Sequence, residues 1–200
     1  NLYKTKGDRK TAMQMYEQVL KGRQDILGEE HPDTLSAMSN VANMHRLNKK
    51  YDLAESMYEN ILKTRTSIFG EDNPSVYATM NSLAHLYKSQ KKHNEAIELY
   101  EKVLAYRIQT NGTHHLTTYQ TMYSLSGSYR LTKQYEKAEA LLIQSKNGLG
   151  ELLGEDHSET INSSHSLAMV YKAERKFAEA EILYRKVLDG KRKIFGDTIN

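Results

Sequence analysis

The chain is 200 residues long, with a formal net charge of +3, 26% charged residues and neither cysteine nor tryptophan. Without cysteine there can be no disulfides, thiolate nucleophiles or cysteine-ligated zinc, and no apolar run of about 18 residues is present to form a membrane span. Two prolines and abundant Ala, Leu, Glu, Lys and Met favour helix over sheet, and the mild charge does not point to nucleic acid. With no basic-then-apolar leader to read, a cytoplasmic location is expected, so the Asn111-Gly-Thr and Asn162-Ser-Ser sequons are read as incidental.

Glycine recurs at Gly28, Gly70, Gly112, Gly154 and Gly196, each 42 residues after the last, and alanine keeps the same beat at Ala12, Ala54, Ala96, Ala138 and Ala180. A fixed period in this range marks one small unit stacked on copies of itself, because a single unit cannot bury its apolar face alone. Tyr3 lies 42 residues before His45, so the chain opens at the end of a first helix. The expected organisation is a single array over 1–200, with a half repeat at 1–28 and full repeats at 29–70, 71–112, 113–154 and 155–196. It reads as an excised piece whose uncapped ends can self-associate.

In the first full repeat, Leu35, Met38, Val41, Ala42 and Met44 form a stripe at helical spacing. The polar Asn48-Lys-Lys breaks the pattern before a second amphipathic run through Tyr51, Ala54, Met57, Tyr58, Ile61, Leu62, Ile68 and Phe69. Each repeat is therefore a helical hairpin. Helices approach closely only where contact side chains are small, so Ala42, Ala54 and their counterparts should mark the crossing inside each hairpin. The later repeats keep the stripe at Met80, Leu83, Ala84 and Tyr87, at Met122, Leu125, Ser126 and Tyr129, and at Leu167, Ala168 and Tyr171.

Each closing glycine suits a left-handed residue that ends a helix. Asn73-Pro74 then reads as a cap followed by proline in the first turn, and His31, His115 and His157 occupy the same slot as Asn73. A capping role fits these histidines better than metal ligation, since the repeat spreads them over separate units. In the third repeat, Leu142 replaces the tyrosine of Tyr58, Tyr100 and Tyr184, Lys146 replaces Leu62 and Leu104, and Gly148 and Gly150 fall inside the second helix. Interior glycines cost about 1 kcal/mol each against alanine, so a bend or weak point is expected near Gly148.

Leu83-Ala84-His-Leu-Tyr87, Tyr51-Asp-Leu-Ala54-Glu-Ser-Met-Tyr58, Arg65 further along, and Phe69-Gly70-Glu-Asp-Asn-Pro74 resemble the tetratricopeptide repeat (TPR), specifically the 42-residue form of kinesin light chains. Similar units form the C-terminal arrays of NB-ARC and NACHT-type NTPase sensors and the array of nephrocystin-3. The resemblance covers essentially the whole chain and implies an all-α, right-handed superhelical solenoid of antiparallel hairpins. In that family the first helix of each hairpin lines a concave groove that holds a partner peptide.

The inward positions transferred from the family include Asn43, Asn81, His85, Gln120, Tyr123, Asn162 and His165, side chains able to hydrogen-bond a peptide backbone. One inward slot is basic in every register, at Lys4, Arg46, Lys88, Arg130 and Lys172, and no transferred inward position is acidic. Neighbouring first helices about 10 Å apart would offer an extended peptide a cation at roughly every third residue. The same cations sit near helix C-termini, where positive charge offsets the macrodipole by about 0.3–1 kcal/mol. A solvated face usually mixes signs, however, and this lining does not. The expected partner is therefore a protein or peptide segment of acidic or aromatic-acidic character, with no membrane or nucleic-acid partner, no cofactor and no metal. Kinesin light chains commonly carry paired asparagines before Leu-Ala, and here only Asn81-Ser82 and Ser39-Asn40 keep half of that pair.

No catalytic pattern is recognisable, and Gly148-Leu-Gly150-Glu-Leu-Leu-Gly154 has the wrong spacing for a phosphate loop and follows a helix rather than a strand. The sequence reads as a non-enzymatic scaffold that binds a partner, as in cargo-adaptor regions of kinesin light chains. The alternative is the sensing or self-association array of an NTPase switch protein.

Overall fold

The computed structural model describes residues 6–196, all of whose regular structure is helical. The elements are α1 (Lys6–Leu27), α2 (Pro32–Leu47), α3 (Tyr51–Phe69), α4 (Pro74–Ser89), α5 (His93–Asn111), α6 (Leu116–Leu131), α7 (Tyr135–Leu153), α8 (Ser158–Ala173) and α9 (Phe177–Phe195). They fall into two compact units that divide between Lys92 and His93, within the expected second repeat. In the first unit α2 packs on α1 and α3, α3 on α4, and α2 also reaches α4. In the second, α5 through α9 pack in chain order and α6 also reaches α8. The fold is an all-α solenoid of stacked helical hairpins.

Local chemistry explains the helix boundaries. The side chains of His31, Asn73, His115 and His157 accept the amide protons of Asp33, Ser75, Thr117 and Glu159, so all four expected caps are in place. Because the histidines accept through Nδ1, their capping tautomer carries its proton on Nε2. The closing glycines have φ between 71° and 93°, as the sequence implies. Their ψ differs from the expected left-handed helical value: Gly70 lies at ψ 166° and Gly196 at 176°, in a region essentially closed to residues with a Cβ.

The left-handed residues sit in the turns inside the hairpins, at Lys49, Lys91, Lys133 and Arg175, with φ of 60–65°. At the first of these turns the Lys49 amide donates to the Arg46 carbonyl and the Lys50 amide to that of His45. This is the paired closure that usually recruits glycine.

The small residues lie where the crossings require them. Ala42, Ala54, Ala138 and Ala168 are fully buried, Ser126 likewise, and Ala180 is 3% exposed. Between hairpins, an arginine of the second helix reaches a first-turn carbonyl of the next helix. Arg23 donates to Asp33 at 2.7 Å, Arg65 to Ser75 at 3.1 Å and Arg107 to Thr117 at 2.7 Å. Arg65, 8% exposed, also donates to Thr79 and Ser36, which satisfies a guanidinium that burial would otherwise penalise.

The interior glycines leave their helix continuous. Helix α7 runs uninterrupted from Tyr135 to Leu153, and Gly148 is buried under Tyr119, whose Cζ lies only 1.8 Å from where a Cβ on Gly148 would sit. The glycine is a slot for a bulky ring on α6. Beside it, Ser145 donates to the Tyr119 carbonyl at 3.1 Å and meets the Ser163 hydroxyl at 3.0 Å. Gly190 plays the same part against Ile161 in α9.

Gly148→Ala should therefore destabilise the protein by about 1–3 kcal/mol through overpacking, despite alanine's better helix propensity. Gly22→Ala in α1, where nothing lies within 4 Å of the added methyl, should stabilise it by about 0.5–1 kcal/mol. Urea unfolding followed by circular dichroism measures both, and a shared sign for the two substitutions would contradict this packing account.

Candidate functional site

The expected inward residues ride on the first helices of the hairpins: α2 and α4 in the first unit, α6 and α8 in the second. The α2–α4 and α6–α8 contacts show that these helices form a layer within each unit. Lys4 lies outside the described residues.

In the first unit, Arg46 is the centre of a polar group. Its guanidinium donates to the Asn43 side-chain oxygen at 2.8 and 3.1 Å and, across to α4, to the Ser89 hydroxyl at 3.3 Å. Asn43 also lines a recess of about 260 Å³ with Arg9, Tyr16 and Asn40. Asn81, His85 and Lys88 are half-buried on α4.

In the second unit, Tyr123 and Arg130 are half-buried on α6, and Asn162 and Lys172 are exposed on α8. The His165 ring stands edge-on to Tyr184 with centroids 5.7 Å apart. Burial pushes its pKa down, and the charges of Lys191 and Arg130 push it further the same way. Lys172 borders an open groove of about 520 Å³ walled by Phe177, Tyr184 and Leu188. The structure thus joins Asn43 to Arg46 and sets Arg130 near His165.

Two features were not anticipated. The Gln120 amide donates to both oxygens of Glu159, at 2.9 and 3.1 Å, so the α6–α8 layer carries a carboxylate near the start of α8. The expectation of an acid-free lining is corrected there. Asp33, Ser75 and Thr117 hold the equivalent positions in the other repeats, and an acid in the first turn is favoured by the helix dipole, so periodicity alone could not single Glu159 out. The second is the distribution of ion pairs. Lys92 binds Glu55 at 3.1 Å, Lys176 binds Glu139 at 2.7 Å, and Arg185, Lys186 and Lys193 bind Glu181, Glu155 and Asp156. Among the described residues, Arg46, Arg130 and Lys172 hold no carboxylate.

The tetratricopeptide repeat pattern matches residues 1–59, 33–109, 75–149 and 117–193, so successive overlapping matches run along nearly the whole chain. This chain belongs to the tetratricopeptide repeat family. Its TPR array is similar to the crystal structure of a kinesin light chain-like protein of Podosopora anserina with nearly identical TPR-like repeats. The TM-score is 0.76 at 26% identity, over 94% of this chain and 90% of that one. BtubC (BKLC) from P. vanneervenii gives a TM-score of 0.79 at 16% identity over 96% of this chain and 77% of that one. A Rap protein in complex with competence and sporulation factor gives 0.74 at 14% identity over 92% and 49%. These last two share the fold. No protein of curated function matches the sequence significantly. Among the described residues no helix of the TPR array is long and apolar enough to cross a membrane, and no group of three or more His, Asp or Glu side chains could hold a metal ion.

The two buried-side imidazoles give the array a pH dependence. His45 is lowered first by burial and then by Lys50, against a smaller upward pull from Glu17, and His165 is lowered as described. A depressed folded-state pKa means that the unfolded chain binds more protons, so stability rises with pH across that window. The contribution is complete above the ordinary imidazole value of about 6.5 and disappears as pH falls through the folded-state values. Thermal midpoints should drop by a few degrees between pH 7.5 and 5.5, and the drop should shrink in the His45→Gln, His165→Gln double variant. An unchanged drop in that variant would assign the effect to other groups.

Proposed function

We propose that the first-helix layers of this TPR array bind an acidic segment of a partner protein, and that the chain is a non-enzymatic interaction scaffold of the kinesin light chain-like, 42-residue type acting in the cytoplasm. The observation that carries this reading is the set of cations near the ends of the first helices, of which Arg46, Arg130 and Lys172 hold no carboxylate among the described residues. Arg46 is held by neutral groups alone, so it is oriented while its charge remains available to a ligand. Preorganised cations of this kind attract a complementary segment and fix its register.

Asn43, Asn81, Gln120, Tyr123, Asn162 and the two lining histidines, His85 and His165, would meet the ligand backbone between the cations. Lys4 and Lys88 continue the same slot in the sequence. Glu159 marks where an acidic ligand side chain is unwelcome, so the acidic residues should lie toward the C-terminal ends of α6 and α8. A Rap protein that shares this fold forms a complex with competence and sporulation factor.

The test is a titration of the 200-residue chain with 12-residue acidic peptides carrying one central tyrosine or tryptophan. Charges at an exposed surface are screened over about 8 Å at physiological ionic strength, so affinity should fall as salt rises. Arg130→Glu should weaken binding by about 5- to 30-fold, or roughly 1–2 kcal/mol. Affinity that ignores both salt and Arg130→Glu would remove the proposal.

A further inference from the structure

The second unit carries an apolar groove on its second-helix side, away from the first-helix positions considered above. Its floor is Leu167 and Tyr171 of α8, and its walls are Ile143 of α7 and Ile182 of α9, around a volume of about 420 Å³. Ile182 is 67% exposed and Ile143 37%. The internal repeat supplies its own control. The residues equivalent to Ile143 are Glu17, Glu59, Glu101 and Arg185, charged every time, and those equivalent to Ile182 are Gln14, Ser56, Glu98 and Ala140. A large aliphatic side chain therefore replaces a charged, polar or small residue on both walls of one groove. Stacking does not require the change, because the other repeats hold the same helices together without it.

The rim is charged at opposite ends. Lys146 lies one turn beyond Ile143 toward the C-terminus of α7, and its ammonium donates only to the neutral Asn147 side chain, at 3.3 Å. Glu179 lies one turn before Ile182 at the start of α9 and makes no ion pair among the described residues. The nearby Lys176 is already held by Glu139 and Glu174 and closes over the Tyr171 ring. In the shared 42-residue register, Lys146 and Glu179 are separated by about nine residues of helix, or roughly 13 Å along the groove.

We infer that this groove docks an amphipathic helix of a partner protein, seated antiparallel to α7 and α9. Such a helix presents leucine-like anchors to Ile143, Ile182 and Tyr171, a carboxylate in its first turn to Lys146 and an ammonium about nine residues later to Glu179. That polarity agrees with the placement of acids at helix N-termini and bases at C-termini, so the ligand's own helix is stabilised by the charges that the rim selects. Apolar anchors in a groove with charges at its edges are the usual form of helix recognition.

The probe is a stapled 14-residue helical peptide with glutamate in its first turn, two central leucines one turn apart and lysine near its end, together with a second peptide in which the two charges are exchanged. Fluorescence anisotropy with the full 200-residue chain should give binding in the micromolar range for the first peptide and at least 5-fold weaker binding for the exchanged one. Ile143→Glu and Ile182→Glu install residues that other repeats already carry at these positions, so the fold should be retained, as circular dichroism would verify. Each should weaken binding at least 10-fold, while Lys146→Glu should reverse the preference between the two peptides. No binding at 500 μM, equal affinity for the two peptides, or unchanged affinity in Ile143→Glu would overturn the inference. So would sedimentation showing that a second copy of the chain occupies the groove.

Discussion

A side chain no larger than a methyl or hydroxymethyl group, buried at the hairpin crossings within each unit, is the constraint on which the packing of each unit depends. Ala42 with Ala54 on α2 and α3, and Ser126 with Ala138 on α6 and α7, let the paired helices approach without displacing larger neighbours. Once the hairpins are narrow, the large residues that flank each crossing, such as Leu35, Tyr58, Leu125 and Leu142, project to the stacking sides and are buried there. Packing within a hairpin therefore decides what it can offer the next one. The arginines at 23, 65 and 107 then add a directional link, from a guanidinium to a helix-start carbonyl, that apolar contact alone would not provide.

Features encoded locally were legible in the sequence, whereas those set by a partner on another helix were not. A cap needs only its own first turn, so His31, Asn73, His115 and His157 could be placed from their position before each helix. The positive φ of the closing glycines was legible for the same reason. The packing role of Gly148 was not legible because its environment is Tyr119, a residue of α6 far away in sequence. Helix propensity assigns an interior glycine a cost, but the site is decided by the volume of the ring that fills the gap. The partnership of Gln120 with Glu159 escaped in the same way, since it spans α6 and α8.

The turns inside the hairpins show a further limit. Lys49, Lys91, Lys133 and Arg175 all adopt positive φ, a conformation that disfavours residues with a Cβ by roughly 1–2 kcal/mol. Three lysines and an arginine give no sequence indication of that conformation. The paired amide bonds to the preceding helix determine it, so the closure is set by the hairpin as a whole. A strained but invariant turn is tolerable in an array because each hairpin is supported by its neighbours.

Basic residues near the ends of the first helices differ in what holds them. Basic residues near a helix C-terminus are favourable wherever they occur, which accounts for their presence at the ends of α2, α6 and α8 but says nothing of their partners. Carboxylates hold Lys92 and Lys176 in the turns. Instead Arg46 is braced by an amide and a hydroxyl, contacts that orient the guanidinium without cancelling its charge. In the second unit the carboxylate that does enter the layer, Glu159, is tied to Gln120 near the opposite ends of the helices from Arg130 and Lys172. The carboxylate and these cations thus lie near opposite ends of the α6–α8 layer.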